Sequence, residues 1–520
     1  MIAPPSLGSL GLPDTAQALL EYAVDRAPEV PAIVDRYGCY TYSELDEAVA
    51  RAATAIRSAG VHPGDRMTAA IGNGREIVVA FLAAMRVGAV WVGLNKSLAA
   101  PEKAFILTDA GVTLALADGD TSEELHELGL CRVIDVFPSD ASCEWAKMVG
   151  SAQPDIIPPV RGAFEPALIA YTSGTTGRPK GVIHSEHNLL LPGAVLSTGQ
   201  EFGLGVRVGV CLPLAIPNML VMGPLMTMQT SACCVVTDWT RASALAAWVQ
   251  EHSIESMTLV PTMLYDLVHD EKVTAEHLAS LRYVQTGGAP WSLTLLDRFE
   301  VRFGKRPVGT FGLTEAPTCV ALEPRNRQIA PGASGPPNAH LRVVVVDSDG
   351  DELPLGSRGA LCVGPATSGP WAGVYRFMLG YHGRPEASEE VLAGGLLHTG
   401  DHGWVDDAGD VHIEGRASEL ILRGGANVYP AEVELVLSEH PAVAGVAVLG
   451  LPDERLGEVV VAIVQVAGEV TDEALVGYCR SRLARYKVPA RIVRVGVLPR
   501  NSMGKVVRGD VRALLGMEAS

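Results

Sequence analysis

The chain has 520 residues, 48% of them apolar, and sets 41 cations against 59 carboxylates for a net charge of −18. That length can bury a large core in about two to four domains, and the acidic balance disfavours nucleic acid or an anionic membrane as the main partner. Nine scattered cysteines without a C-x-x-C pair write in neither a disulfide framework nor a zinc site, and read as inert thiols of a reducing cytosol.

The N-terminal stretch MIAPPSLGSLGLPDT has neither a basic flank nor an apolar core, so a secretory signal is not expected. Next, SELDEAVARAATAIRSAG has helical spacing behind a serine cap at Ser43. The runs MTAAIG, AVWVGLN, VTLALAD, ALIAYTS, SACCVVTD and MTLVPT are strand-length and alternate with amphipathic stretches. That alternation predicts an α/β fold with largely parallel sheets. Val208 to Met228 is apolar and long enough to imitate a membrane span. Pro213, Pro217 and Pro224 interrupt it, so a strand, a turn and a helix start are expected there and no membrane span.

From about Leu341, LRVVVVDSDGDEL and GALCVG read as strands joined by an Asp-Gly turn in a smaller β-rich unit. After about Arg416, AVAGVAVLG, VVVAIVQVAG and the helix TDEALVGYCRSRLARY form a compact α+β block. The expected organisation is a large multi-lobed N-terminal domain over 1–416, with a β-rich sublobe over about 335–416, and a small C-terminal domain over 417–520.

Chemistry gathers at YTSGTTGRPKGV, Tyr171 to Val182. Its glycines expose backbone N–H groups, Thr172, Ser173, Thr175 and Thr176 add hydroxyl donors, and Lys180 adds a point charge, which together suit phosphate oxygens. A Walker loop is excluded by spacing, since Gly174 and Gly177 lie three apart and Gly181 stands where Ser or Thr is required. Beside a phosphate loop, Glu315 in GTFGLTEAPT becomes a candidate Mg²⁺ ligand. QTGGAP, from Gln285 to Pro290, is small enough for close approach of its backbone to a ligand. In HTGDHG, His398 and His402 lack a third metal ligand, so a metal site is not expected there. IEGRASELILRGG, RGGANVYPAEVE and PRNSMGKVVR complete the set.

With these segments in this order, the chain resembles the adenylate-forming ligase superfamily of acyl-CoA synthetases, peptide-synthetase adenylation domains and luciferases, over nearly its whole length. The resemblance implies that Thr172, Ser173, Gly174, Thr175, Thr176, Gly177 and Lys180 clamp the ATP phosphates, and that Thr314 touches the α-phosphate. It implies that Gly288, Ala289, Phe311, Gly312, Asp401 and Arg416 hold adenine and ribose, with Phe311 stacking in place of the family's usual tyrosine. An acyl pocket is implied at Ala215, Ile216, Asn218, Gly287, Gly288 and Gly309. Lys505 matches the catalytic lysine that reaches between carboxylate and α-phosphate, an electrostatic and positional role. Gly424 and Gly425 match a thiol tunnel formed after the C-terminal domain rotates about a hinge at position 418.

Three departures stand out. Ser418 replaces the family's hinge Asp or Lys, which bears on the thioester step. Leu212-Pro213-Leu214-Ala215-Ile216-Pro217 lacks the usual aromatic and histidine, which suggests a roomier or reshaped acyl pocket unless neighbours refill it. The connection TSGPWAGVYRFML is longer than usual and reads as an extra surface loop or as a substrate or partner contact. The implied function is a cytoplasmic acid–thiol ligase that uses ATP and Mg²⁺ to convert a largely apolar carboxylic acid to acyl-AMP and pyrophosphate, then transfers the acyl group to coenzyme A. Transfer to a free carrier protein, an amine or a downstream enzyme is the close alternative. A silent nucleotide-binding homologue is disfavoured by the intact Lys180, Glu315, Asp401, Arg416 and Lys505.

Overall fold

The computed structural model describes residues 5–137, 140–154, 162–172, 179–199, 203–237, 241–288, 291, 293–317, 319–325, 327–423, 426–453, 455–501 and 504–515. Four sheets carry the described fold. A seven-stranded sheet runs, edge to edge, Gly380–Tyr381, Lys180–Ser185, Pro166–Thr172, Val90–Val92, Arg66–Ala70, Val112–Ala117, Arg132–Asp135. It is parallel except at the first two pairings. An eight-stranded sheet has a parallel centre, Val308–Phe311, Tyr283–Thr286, Ser256–Leu259, Arg207–Val210, Cys233–Val236 and Pro31–Asp35, with antiparallel edges.

The helix Arg75–Val87 lies between these two sheets, touching Pro31–Asp35 of one and Arg66–Ala70 and Val90–Val92 of the other. Every residue from Ile77 to Val87 is buried, so the segment has no solvent face, and it is apolar all round except for Arg86, which pairs with Asp46. Phe81 meets Trp91 edge to face at 5.6 Å, and each fully buried side chain of this size stabilises by about 2 kcal/mol. Next come a four-stranded antiparallel sheet, Leu341–Val346, Gly359–Pro365, Leu397–Val405 and Val411–Arg416, and a mixed C-terminal sheet built around Val443–Asp453 and Gly457–Val466. The α/β fold read from the sequence is therefore present, with a large N-terminal part and a smaller C-terminal one.

Three local expectations need correction. The first long helix is Tyr42–Ser58, and its cap is Thr41, not Ser43: Glu44 N donates to Thr41 Oγ1 at 3.2 Å while Thr41 N donates to Glu44 Oε2 at 2.8 Å. The reason lies in Tyr42, fully buried in the first turn and donating its hydroxyl to the Ala232 carbonyl at 2.6 Å, which fixes the helix start upstream. The Asp-Gly turn exists, with Gly350 at φ 87°, but the strands it was expected to join tightly are separated by residues 347–358. The long connection after Ala366 is not simply a surface loop. Residues 367–370 and Leu379 are exposed, but Trp371, Val374, Tyr375 and Met378 enter the core, and Asn188 Nδ2 donates to the carbonyls of Arg376 and Phe377.

The apolar run from Val208 resolves as expected into strand, turn and helix. The helix Pro217–Leu220 passes through a π-helical turn, Val221–Leu225, into Met226–Thr230. Pro224 has no N–H and its ring clashes with the carbonyl of the preceding turn, which a widened turn relieves. Among the described residues no helix is long and apolar enough to cross a membrane.

Replacing Thr41 by Ala removes half of the capping box and should cost about 1 kcal/mol. A lowered urea midpoint would report it; an unchanged midpoint would mean Glu44 alone suffices.

Candidate active site

Thr172 and Lys180 stand opposite each other at the open end of a hairpin, Pro166–Thr172 with Lys180–Ser185, so the loop is strand–loop–strand and differs from a Walker loop in topology as well as spacing. Ser173, Gly174, Thr175, Thr176 and Gly177 lie outside the described residues. Tyr171, at the base of the loop, donates to Asp109 Oδ2 at 2.7 Å, and Arg384 also pairs with Asp109 at 3.2 Å.

Lys180 Nζ sits 4.9 Å from the centroid of the Tyr381 ring, and the Tyr381 hydroxyl donates to Glu315 Oε1 at 2.9 Å. Burial, then the Glu315 charge, raises the Tyr381 pKa, so the phenol keeps its proton and remains a donor. Tyr381 therefore links the phosphate-loop cation to the candidate metal carboxylate, and sequence reasoning missed it. Its only local signal is Gly380, held at φ 116° with Ser388 crowding the place of any Cβ, which lets a two-residue edge strand form beside Val182 and Ile183. His184 was also missed. Burial lowers its pKa to about 4, so the ring is neutral, and Nε2–H donates to the Thr314 carbonyl at 2.8 Å.

Asp401 and Arg416 are register partners on adjacent antiparallel strands. Arg416 Nε pairs with Asp401 Oδ1 at 2.8 Å, and Arg416 Nη1 donates to the Thr399 carbonyl at 3.1 Å. Asp401 Oδ2 is buried with no hydrogen-bond partner among the described residues. Burial raises the Asp401 pKa to about 6, against the lowering pull of Arg416, Lys505 and Thr399, with Glu315 adding to the rise.

Lys505 caps a tight turn: its N–H donates to Asn501 Oδ1 at 3.0 Å and its carbonyl accepts from Asn501 N at 2.8 Å. The neighbouring Gly504, at φ 73°, lies so close to Thr262 that a Cβ there would come within 2.7 Å of Thr262 Oγ1. Burial and the repulsion of Arg416 lower the Lys505 pKa, and Asp401 and Glu419 oppose that shift. The structure thus gathers Lys180, Thr314, Glu315, Asp401, Arg416 and Lys505 into one connected group.

The nucleoside and acyl candidates border it. Phe311 is 8% exposed and Gly312 is exposed. Gly288 is exposed at φ 80°, where side chains are strained, and Ala289 lies outside the described residues. A Cβ on Gly287 would fall 2.2 Å from Thr310 Oγ1, and one on Gly309 would fall 2.2 Å from Trp291, so both glycines are already crowded. Ala215 is buried, Ile216 and Asn218 are half-buried, and the turn that carries them packs on Gly93, where a Cβ would meet the Ala215 carbonyl at 3.0 Å. Ser418 is exposed in the 3₁₀ turn Ala417–Glu419. Gly424 and Gly425 lie outside the described residues.

Residues 20–371 match the model of the AMP-binding enzyme family, and 432–505 match that of the AMP-binding enzyme C-terminal domain. The chain belongs to the AMP-binding enzyme family. It is 33% identical over 506 residues to a feruloyl-CoA synthase of an Amycolatopsis species, covering 96% of this chain and 99% of that one. It is 32% identical to the fatty acid–[acyl-carrier-protein] ligase ScoC of Streptomyces coeruleorubidus, covering 93% of each. Its fold matches the crystal structure of ATP-bound MatB from Rhodopseudomonas palustris with TM-score 0.86 and 27% identity, over 96% of this chain and 99% of that one. Family members of both thiol types thus share the whole length of the chain.

Asp401 holds its proton up to about pH 6 in the fold and releases it near 3.8 when free. Folding therefore takes up a proton between those values, and Asp401 withdraws stability as pH rises through that window. Asp401→Asn should flatten the fall in stability between pH 4 and 7, read from urea midpoints; an unchanged slope would show that burial imposes no such cost.

Proposed function

We propose that the protein activates a largely apolar carboxylic acid with Mg·ATP and transfers it to coenzyme A. The observation that carries this reading is the unpaired, buried Oδ2 of Asp401 beside Arg416 and within electrostatic reach of Lys505. An acceptor-only group buried beside cations invites donors, and the two hydroxyls of a ribose supply them. Deeper burial alone would instead have favoured an apolar residue at that place.

In the first step a carboxylate oxygen attacks the α-phosphorus, a new P–O bond forms, and the bond to the pyrophosphate oxygen breaks. Thr172 to Lys180 hold the β- and γ-phosphates, and Thr314, fixed through its carbonyl by His184, lies toward the α-phosphate. Lys505 meets the negative charge shared between the reacting oxygens, worth most where water is excluded. Glu315, one oxygen of which accepts from Tyr381, would hold a magnesium ion, a hard cation that takes one or two carboxylates beside phosphate. The ion would supply charge screening of the triphosphate.

In the second step the C-terminal domain, from the hinge at Ser418, turns Lys505 away and brings Gly424 and Gly425 to the adenylate. The thiol sulfur attacks the acyl carbon, its proton leaves, and AMP departs. Likeness to the feruloyl-CoA synthase supports coenzyme A as the acceptor, and likeness to ScoC supports a carrier-protein thiol as the second reading. Nine free cysteines, seven of them buried, and the use of ATP and coenzyme A suit a cytoplasmic enzyme.

Lys505→Ala should lower acid-dependent exchange of pyrophosphate into ATP by roughly a hundred-fold or more, while thioester formation from supplied acyl-AMP persists. Equal loss of both steps would contradict the assignment. Tyr381→Phe keeps the ring beneath Lys180 but releases Glu315. The Mg²⁺ concentration needed for half-maximal exchange should rise about five-fold or more with little change in metal-free ATP binding measured by calorimetry, whereas Tyr381→Ala should weaken both. An unaltered Mg²⁺ titration for Tyr381→Phe would remove Tyr381 from the site.

A further inference from the structure

Below the turn that carries Ala215 and Ile216, a cavity with room for about one water lies between the helical segment 217–230 and the eight-stranded sheet. One wall is Met219, Met222 and Met226; the opposite wall is Ser256, Thr258 and Gln285, which interrupt an otherwise apolar sheet face. Gly287 follows Gln285 by two residues, just past the end of the strand Tyr283–Thr286, and Met219 follows Asn218. The cavity therefore adjoins the acyl-pocket candidates in sequence on both of its walls.

Its polar wall is underused. Gln285 is 5% exposed and Ser256 4% exposed. Thr258 Oγ1 donates to Gln285 Oε1 at 3.4 Å, and among the described residues none accepts from Gln285 Nε2 or bonds the Ser256 hydroxyl. Buried amide and hydroxyl groups are costly when unpaired, which makes a bound polar atom the natural complement. The facing wall is built to yield. Methionines repack around ligands of different outline, and these three sit on and beside the π-helical turn that Pro224 imposes, a feature often found at ligand sites. Gly223 approaches Val210 so closely that a Cβ would fall 2.7 Å from it, so the wall opens by rotation of methionine side chains and not by retreat of the helix.

We propose that this cavity is the far end of the acyl pocket, and that Gln285 and Ser256 select an acid with an apolar tail ending in an oxygen atom, such as a ring or chain-terminal hydroxyl. The inference rests on the acid-activation reading. The loss of the aromatic and histidine at Ala215 and Ile216 then does not enlarge the pocket. Methionines refill the space, and selectivity moves to the polar wall.

The test uses the whole protein and two matched pairs, cinnamic with 4-hydroxycinnamic acid and octanoic with 8-hydroxyoctanoic acid. Pyrophosphate exchange is read for each, and binding of the matching acyl-sulfamoyl adenosines is read by calorimetry. In at least one pair the hydroxy acid should have a kcat/KM roughly ten-fold or more above its partner, and Gln285→Leu should bring that ratio to about one while ATP binding is kept. If Gln285→Leu fails to fold, Gln285→Met and Ser256→Ala carry the same comparison. A wild-type ratio at or below one in both pairs, or a ratio that the variants leave unchanged, overturns the inference while adenylation stands. If no acid supports exchange and no analogue binds, the acid-activation reading falls and this inference with it.

Discussion

Asp401 is 5% exposed, yet among the described residues only one of its oxygens is paired, to Arg416 on the adjoining strand. The rest of the site is arranged around that unbalanced charge. A carboxylate so buried must hold its proton or find donors, and the fold sets Arg416, Lys505 and Thr399 near enough to favour its charged form and Glu315 near enough to oppose it. Arg416 ends its strand, and the turn Ala417–Glu419, with Ser418 exposed, follows at once. The pair thus anchors the last strand of the N-terminal part at the point where the chain leaves it.

From that anchor the electrostatics run outward from group to group. Asp401 and Glu315 repel, Glu315 is held by the Tyr381 hydroxyl, and the Tyr381 ring faces Lys180. An aromatic ring between a lysine and a carboxylate keeps both oriented without letting them neutralise each other. Two carboxylates and several cations in one cleft are poorly balanced alone and well matched to a triphosphate with its metal, for which each sign has a counterpart.

Much of this was legible because the residues that carry it sit in short segments whose composition resists packing. YTSGTTGRPKGV, the Thr314-Glu315 pair, Asp401 and Lys505 are polar or glycine-rich where a core would be apolar, and the alternation of apolar runs with helical stretches announced the parallel sheets. What stayed hidden depends on distant partners. Tyr381 and His184 lie in unremarkable strands and matter only through Glu315 and Thr314, 66 and 130 residues away in sequence. The cap moved from Ser43 to Thr41 because Tyr42 is tied to Ala232, a contact no local window contains. The connection through Trp371 and Tyr375 read as surface because it is longer than the family's usual connection. Its aromatics are instead drawn into the core by His187 and Asn188, the former donating from Nε2 to the Val374 carbonyl at 2.9 Å.

The way Lys505 is mounted bears on whether one site can serve two reactions. Its turn is held from within by Asn501 and by Arg500, which donates to the Gly504 carbonyl at 2.8 Å. Behind it, Arg508 pairs with Glu419 at 3.0 Å and Glu434 at 2.8 Å. The contacts that tie the turn to the N-terminal part are of another kind: the close fit of Gly504 on Thr262, and the charges of Asp266 and Asp401 acting on Arg500 and Lys505. Those are polar, few and replaceable by water, whereas the internal ones travel with the domain. A rotation would therefore leave the lysine turn folded and cost mainly exposed electrostatics, which are weak in water. The rigid bonds thus lie inside the C-terminal part and the soft ones across its boundary, which is the arrangement the proposed rotation requires.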